Sequence, residues 1–249
     1  MENLSFNDNI LSIDIGGSNI KATILTPEGA VPGVYRKLPT PEPASPDNVI
    51  GLIQDLVKDF PEYSKISVGF PGYVRNGRIH TAPNLGTARW QNFNLQQQLC
   101  EAMGKPVRLV NDADLQGLGV VNGKGFEMVI TLGTGFGTAM LHDGHLLPHM
   151  ELAHHPVYKN KTYDQFIGNQ ALEKHGKEKW NKRMNLVLSI LKTVFNYDHL
   201  FISGGNANHL RIPLDDNITI VTNRDGIKGG IRLWQQDEKR FVDTPYSAL

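Results

Sequence analysis

Asp14, Gly16, Gly17 and Ser18 stand close together in ILSIDIGGSNIKATIL (10–25), where an acid, two glycines and a small hydroxyl separate two apolar runs. Ile10, Leu11, Ile13 and Ile15 suit a buried strand and Ile20, Ala22, Ile24 and Leu25 suit its partner, so the glycines form a hairpin tip. Glycine there allows φ > 0 and lets successive backbone N–H groups face one concavity, which is how a chain grips a phosphate. Asp14 beside them is placed to hold a cation or its bound water. An ordinary tight turn with Asp14 as turn former fits the same residues. Gly133, Thr134 and Gly135 repeat the pattern between Met128–Leu132 and Thr138–Leu141, 118 positions on (from 15 to 133), and Gly204-Gly205-Asn206 makes a third glycine turn. Asn111 and Asp112 follow the β run Val107–Val110, at a C-terminal strand end, where open α/β sheets bind ligands. Asp114 reads rather as a helix N-cap or first-turn acid. HMELAHH (149–155) sets Glu151 among histidines.

The elements that must position these residues alternate between strand and helix. Gly29–Thr40 reads as a strand, and the proline-rich Pro39–Asp47 cannot continue into a sheet. Ser45 or Asp47 caps a helix marked by Val49, Ile50, Ile53, Leu56, Val57 and Phe60 and stopped by Pro61. Lys65–Phe70 is a short buried strand, and Asn76-Gly77 between Val74 and Ile79 signals a hairpin. A helix through Leu95, Leu99 and Met103 ends at Gly104, and another covers Leu115–Val121. Asp143-Gly144 marks a further hairpin turn. Residues 163–196 read as largely helical, His199–Ser203 and Ile218–Val221 as strands, and GIKGGIRLW leads into a final helix ending near Phe241. The tail 242–249 has no clear pattern.

With 249 residues the chain can hold one large or two small domains around a sizeable core. Lys+Arg and Asp+Glu are both 25, so no overall field draws it to nucleic acid or membrane and any anion site is built locally. One cysteine, Cys100, rules out internal disulfides and multi-cysteine zinc clusters. MENLSFNDNI lacks the basic flank and apolar core of a secretory signal, and no apolar run approaches the roughly 18 to 20 residues of a membrane span. A soluble, cytoplasmic protein is expected.

Taken together, DIGGSNIK (14–21), GFPG (69–72), TAPNL (81–85), NDAD (111–114), LGTGFG (132–137), ELAHH (151–155) and SGGN (203–206) resemble the ROK family of sugar kinases, in order over nearly the whole chain. ELAHHPVYKNKTYDQFIG, KEKWNKR (177–183) and NRDGIKGGIRLW (223–234) look most like its polyphosphate-using glucokinases. The resemblance implies an α/β, actin-like (ribonuclease-H-like) fold: an N-terminal lobe of residues 1–112 joined by the C-terminal helix (about 229–249), a lobe of residues 113–228, and an active-site cleft between. It implies a homodimer. The cysteines that follow the histidine of the zinc-containing members are missing, so although His154 occupies the ligand position no structural zinc is expected. His142, His145, His149 and His155 are read as hydrogen-bonding residues.

By the same resemblance Asp112 is the general base toward the 6-hydroxyl of glucose, a task that suits a carboxylate because the proton leaves late in a loose transition state. A plain turn after a strand is the alternative for Asn111-Asp112. Asn84, Asn111, Glu151, His154 and Asp164 would hold the sugar, a mixture of donors and acceptors fit for a polyol. For Asp164, where the family has a glutamate, a helix N-terminal acid is the alternative; Ala153 replaces a usual glycine. Gly16, Gly17, Ser18 and Lys21 with Gly133, Thr134, Gly135, Gly204 and Gly205 would cradle phosphates, and Asp14 would position Mg²⁺ through water. The donor is expected to be polyphosphate, with ATP as possible second donor. Lys174, Lys177, Lys179, Lys182 and Arg183, with Lys159 and Lys161 upstream, suit a polyanion, although a solvated helix face reads the same way. A strictly ATP-dependent hexokinase for glucose, mannose or fructose and a non-catalytic sugar binder remain as alternatives. The family's sugar-sensing repressors need a helix-turn-helix, for which about nine residues before the first strand are too few.

Overall fold

The apolar runs on either side of DIGGS become β1 (Ile10–Ile15) and β2 (Asn19–Leu25), paired antiparallel from Ile10↔Leu25 to Ile15↔Ile20. The computed structural model describes residues 9–27, 34–222, 226 and 228–237. Expectations for the first part of the Gly29–Thr40 strand, for 223–225, for the helix end near Phe241 and for the tail fall outside them. The chain divides into two compact units, one drawn from 1–115 and 227–249 and the other spanning 116–226. No helix among the described residues is long and apolar enough to cross a membrane.

In the first unit β3 (Tyr35–Pro39) lies antiparallel to β2, and β4 (Lys65–Phe70) lies parallel to β1. A small hairpin of β5 (Val74–Arg75) and β6 (Arg78–Ile79) turns on Asn76 and Gly77, both at positive φ. With β7 (Val107–Asn111) parallel to β4, the sheet order is β3-β2-β1-β4-β7. Strand side chains alternate between faces. Leu11, Ile13, Ile15, Ile66, Val68, Phe70, Val107 and Leu109 share one core with Val49 and Ile53 of α1 (Pro46–Val57) and Leu99 of α3 (Leu95–Met103). Each such aliphatic, fully buried, contributes roughly 1.5–3 kcal/mol. Ser45 caps α1 by accepting from Asn48 N at 3.4 Å, and Gly104 closes α3 at φ 64°. Between them a short helix not foreseen from the pattern, α2 (Thr87–Trp90), buries Trp90 beside Phe70, ring centroids 4.9 Å apart.

The opposite face carries Ser12, Asp14, Ser67, Gly69 and Arg108. Small residues let a short helix, Gly229–Arg232, lie close: Ser67 Oγ donates to Gly230 O at 2.6 Å. Arg108, buried, donates to Leu233 O at 2.8 Å and Gln236 O at 3.2 Å beneath the Trp234 ring. Among the described residues this helical turn is followed by a 3-10 turn, Leu233–Gln235. Beyond β7, α4 begins at Asp112 and runs to Val120, three residues earlier than the apolar pattern announced.

The second unit repeats the plan. β8 (Phe126–Leu132) and β9 (Phe136–His142) form the hairpin, and β10 (His145–Leu146) extends it through the Asp143-Gly144 turn. Then β11 (Pro156–Tyr158) and β12 (Lys161–Thr162) form a small hairpin in a stretch to which the sequence pattern assigned no element. The expected helical stretch is two helices, α5 (Tyr163–Ile167) and α6 (Asn169–Phe195), and α6 itself is broken at Gly176 (φ 74°, ψ 163°). β13 (His199–Ser203) and β14 (Ile218–Ile220) complete a sheet of order β10-β9-β8-β13-β14. Trp180, Met184, Val187 and Leu191 of α6 pack on Met128, Ile130 and Leu132.

Candidate active site

In the first unit the strand period puts Asp14 on the face opposite the core, and Lys21 is its direct cross-strand partner. Lys21 Nζ donates to Asp14 Oδ2 at 2.7 Å. Burial pulls the ammonium down, but the Asp14 charge and hydrogen bond, with Tyr35 and Asp112, raise its pKa above the ordinary 10.5. Lys21 therefore stays charged at neutral pH. Asp14 pairs in register with Gly69 of β4, and Gly69 with Val110 of β7, so Val110 lies about 10 Å from Asp14 across two strand spacings and Asp112 begins its helix two residues further on. A Cβ on Gly69 would stand 3.2 Å from Asp112 Cα and 3.1 Å from Leu115 Cδ2: glycine lets the start of α4 settle on the sheet.

Asp112 Oδ1 accepts from Ala113 N at 2.8 Å. Asn111, buried, donates from Nδ2 to Gly72 O at 3.0 Å and accepts from Ala113 N on Oδ1 at 2.8 Å. Its amide thus ties the start of α4 to the GFPG turn. Gly72 itself lies against Thr81 O so closely that a Cβ would collide with that carbonyl.

The hairpin tip corrects the reason expected for its glycines. Neither Gly16 nor Gly17 adopts the left-handed φ anticipated. Space is what demands them: a Cβ on Gly16 would meet Asn19 O at 2.8 Å, and one on Gly17 would meet Asn84 Cβ at 2.9 Å. The tip is thus packed on Asn84, a candidate sugar ligand. Thr40 braces it from behind, donating from Oγ1 to Gly16 O at 2.6 Å and from N to Ser18 O at 3.0 Å. Nothing in the proline-rich stretch around Thr40 announced this.

In the second unit the same kind of tip is held by side chains. Asp164, in the first turn of α5, accepts from Phe136 N at 2.6 Å, and a Cβ on Gly135 would stand 2.8 Å from its Oδ1. Asn206 Nδ2 donates to Gly133 O at 3.1 Å, and Asn169 N to Thr134 O at 3.3 Å. Gly204 is the one glycine of this group at positive φ, 95°, and a Cβ there would strike Leu132 O. Gly205 and Thr134 are exposed.

Glu151, His154 and Asp164, named from separate parts of the sequence, come together. His154 Nε2 is 3.9 Å from Glu151 Oε2. Asp164 has its pKa raised above 3.8, first by burial, which outweighs the Phe136 N–H and the His154 charge and is reinforced by Glu151. His149, read from sequence only as a loop histidine, is almost fully buried with Nε2 3.5 Å from Glu151 Oε1. The set offers carboxylate acceptors and imidazole donors, suited to hydroxyl groups.

The ROK family model matches residues 10–162. The polyphosphate glucokinase of Mycobacterium tuberculosis (strain ATCC 25618 / H37Rv) is 33% identical over 222 residues, 84% of this chain and 83% of that protein. That of Mycobacterium leprae (strain TN) is 33% identical over 220 residues, 83% of this chain and 67% of that protein. Among solved structures, the inorganic polyphosphate/ATP-glucomannokinase of Arthrobacter sp. strain KM superposes with a TM-score of 0.81 at 30% identity, covering 92% of this chain and 100% of that one. A ROK family glucokinase from Streptomyces griseus, at 17% identity and TM-score 0.76, shares the fold. Motif order, two sheets of one plan and these likenesses agree: the chain belongs to the ROK family.

Proposed function

We propose that the chain is a glucokinase that transfers a phosphoryl group from inorganic polyphosphate, with ATP as a second donor, to the 6-hydroxyl of glucose. The observation that carries this reading is the Asp112 carboxylate, fixed at the end of β7 by the Ala113 N–H with the Lys21 ammonium close by. Asp112 takes the proton of the 6-hydroxyl while the oxygen attacks the terminal phosphorus in line. The new O–P bond forms as the bridging P–O bond of the donor breaks, and the shortened donor leaves with the electron pair. Lys21 offsets charge on the transferring group. Asn111 holds the turn that aims Asp112 and keeps a lone pair of Oδ1 for a sugar hydroxyl; Asn84, Glu151, His154 and Asp164 hold the others. Asp164 already uses Oδ1 for Phe136 N, so its Oδ2 is the atom left for the sugar.

The carboxylate of Asp14 suits Mg²⁺, which binds through one or two carboxylates and keeps several waters. It would hold the ion while Lys21 turns to the phosphates, and the bound ion would add charge neutralisation. No structural zinc belongs to this reading. The names of the relatives support the donor, and the same reading takes the enzyme as cytoplasmic and homodimeric. Glucose 6-phosphate formation with polyphosphate and ATP side by side tests it: activity with ATP alone defeats the donor assignment, and no activity with either leaves a sugar binder.

A further inference from the structure

The segment HMELAHH holds a buried imidazole, that of His149, which the transfer described above does not use. The backbone on either side of it is fastened to β9: Leu147 N donates to Met140 O at 2.8 Å, and Thr138 Oγ1 donates to Met150 O at 3.1 Å. Pro148, between these two ties, restricts the approach further. The His149 side chain is 8% exposed, and both of its ring nitrogens are shut off from solvent. Glu151 stands at the entry of the 3-10 turn Leu152–His154, where its carbonyl accepts from His154 N at 3.2 Å but its side chain caps no backbone N–H. The carboxylate is therefore oriented by its neighbours, and its two oxygens lie in different surroundings. Although the Glu151 side chain is 28% exposed, Oε1 is closed to solvent, with His149 Nε2 at 3.5 Å. Oε2 lies 3.9 Å from Nε2 of the exposed His154. One imidazole stands behind the carboxylate and the other at its open side.

A carboxylate oxygen closed to solvent is costly unless a donor reaches it. We propose that His149 is a positioning residue for sugar recognition: with its proton on Nε2 it donates to Glu151 Oε1, fixes the carboxylate and leaves Oε2 for one hydroxyl of the hexose beside His154. The proposal rests on the reading of Glu151 as a sugar ligand. A glutamate side chain turns about three bonds, and freezing them on binding costs affinity, so a carboxylate held beforehand takes a hydroxyl more tightly. At 3.5 Å the contact is longer than a formed N–H···O bond, and it closes when the hydroxyl draws the carboxylate into place. The brace serves the bound sugar before and during transfer alike, so its loss falls on sugar affinity and not on the chemical step.

The test uses the full chain with His149→Phe, which keeps a ring but has no donor, His149→Gln, whose amide nitrogen lies as many bonds from the backbone as Nε2, and Glu151→Gln. Glucose affinity is measured by calorimetry and as KM. His149→Phe is expected to weaken it roughly tenfold with kcat and the KM for the phosphoryl donor little changed, and His149→Gln to recover most of the loss. The same variants are run against glucoses that each lack one hydroxyl. His149→Phe should shrink the penalty for the same missing hydroxyl as Glu151→Gln and leave the other penalties as they are, which a general loosening of the fold would not do. In the unsubstituted protein, nitrogen NMR of the His149 ring should find a proton on Nε2, a measurement that stands even where His149→Phe fails to fold. An Nε2 without a proton overturns the brace, as does an equal loss of affinity in His149→Gln and His149→Phe. If Glu151→Gln weakens glucose binding while His149→Phe leaves it unchanged, the brace fails and Glu151 remains a sugar ligand; if Glu151→Gln changes nothing, both fail.

Discussion

The two glycine turns close equivalent hairpins in sheets of the same plan, yet they are held in different ways. At the tip between β1 and β2, Gly16 and Gly17 exist for close packing on Asn19 and Asn84, and the nearby charge is an Asp14–Lys21 pair within the hairpin itself. At the tip between β8 and β9, nothing stands within 4 Å of a Cβ placed on Gly133, and the turn is fixed from outside by Asp164, Asn169 and Asn206. One turn is therefore shaped by close packing within its own unit and carries a cation paired with Asp14. The other depends on the elements that follow it, so its geometry is tied to α5, the start of α6 and Asn206. The same glycine pattern thus serves two mechanical designs.

The largest effect that would break this division is expected at Asp112. Asp112→Asn keeps the acceptor for Ala113 N but removes the base, and turnover should fall by roughly 10²–10⁴, the usual worth of a general base. Glucose binding measured by calorimetry should persist. Turnover near that of the unsubstituted enzyme would move the chemistry away from the first unit altogether.

Next comes Lys21. Lys21→Met removes the partner of Asp14 and a cation at the phosphates. Both side chains are about a third exposed, 37% and 30%, so the pair itself contributes only about 0–1 kcal/mol to stability. A fall in kcat much larger than any change in Tm is the expected outcome. Equal losses in both would make the pair a structural brace like Asp164.

The glycine turns can be compared directly. Gly17→Ala drives a methyl to 2.9 Å from Asn84 Cβ, and such overpacking costs roughly 1–3 kcal/mol. Displacement of Asn84 should also raise the KM for glucose. Gly133→Ala meets no neighbouring atom and has no left-handed φ, so stability, followed by denaturant unfolding, should stay within about 0.5 kcal/mol of the parent. Similar Tm losses in the two variants would erase the proposed contrast.

How much of this was legible in the sequence follows from the range of each signal. β1, β2, β4, β13 and the Asn76-Gly77 and Asp143-Gly144 turns are local patterns of apolar period and glycine, and they stand where read. Helix α2 is four residues long and the strands β11 and β12 shorter still, too short for any period to register. The break at Gly176 hides inside a charged run with good helix formers on both sides. At the site, Asp112 and Glu151 were recognisable as motif residues. Thr40, His149 and Asn169 were not, because each matters only through a partner 22 or more residues away or through burial that has no local signature. The glycines at 16 and 17 show the subtler failure: the positive φ expected of them is absent, and the close approach to Asn84, 67 positions on from Gly17, leaves no mark on the local sequence.

The smallest expected effect lies at Asp164 and bears on the outside brace itself. Burial penalises its anion more than the Phe136 N–H relieves it, so the folded-state pKa lies above 3.8. The folded chain then holds this proton more tightly than the unfolded one. The resulting stability is fully present below about pH 3.8 and is lost as pH rises through the folded pKa. At neutral pH the ionised form carries that cost. Asp164→Asn keeps an oxygen for Phe136 N and drops the charge, so at pH 7 its Tm should equal or slightly exceed that of the parent, with the difference vanishing in acid. Asp164→Ala, which leaves the Phe136 N–H without its acceptor, should lose roughly 1.5–3 kcal/mol. If Asp164→Asn instead loses as much as the alanine variant at pH 7, the charge itself stabilises the turn. If it keeps its Tm but raises the KM for glucose, the carboxylate both braces the turn and binds the sugar, with one oxygen for each task.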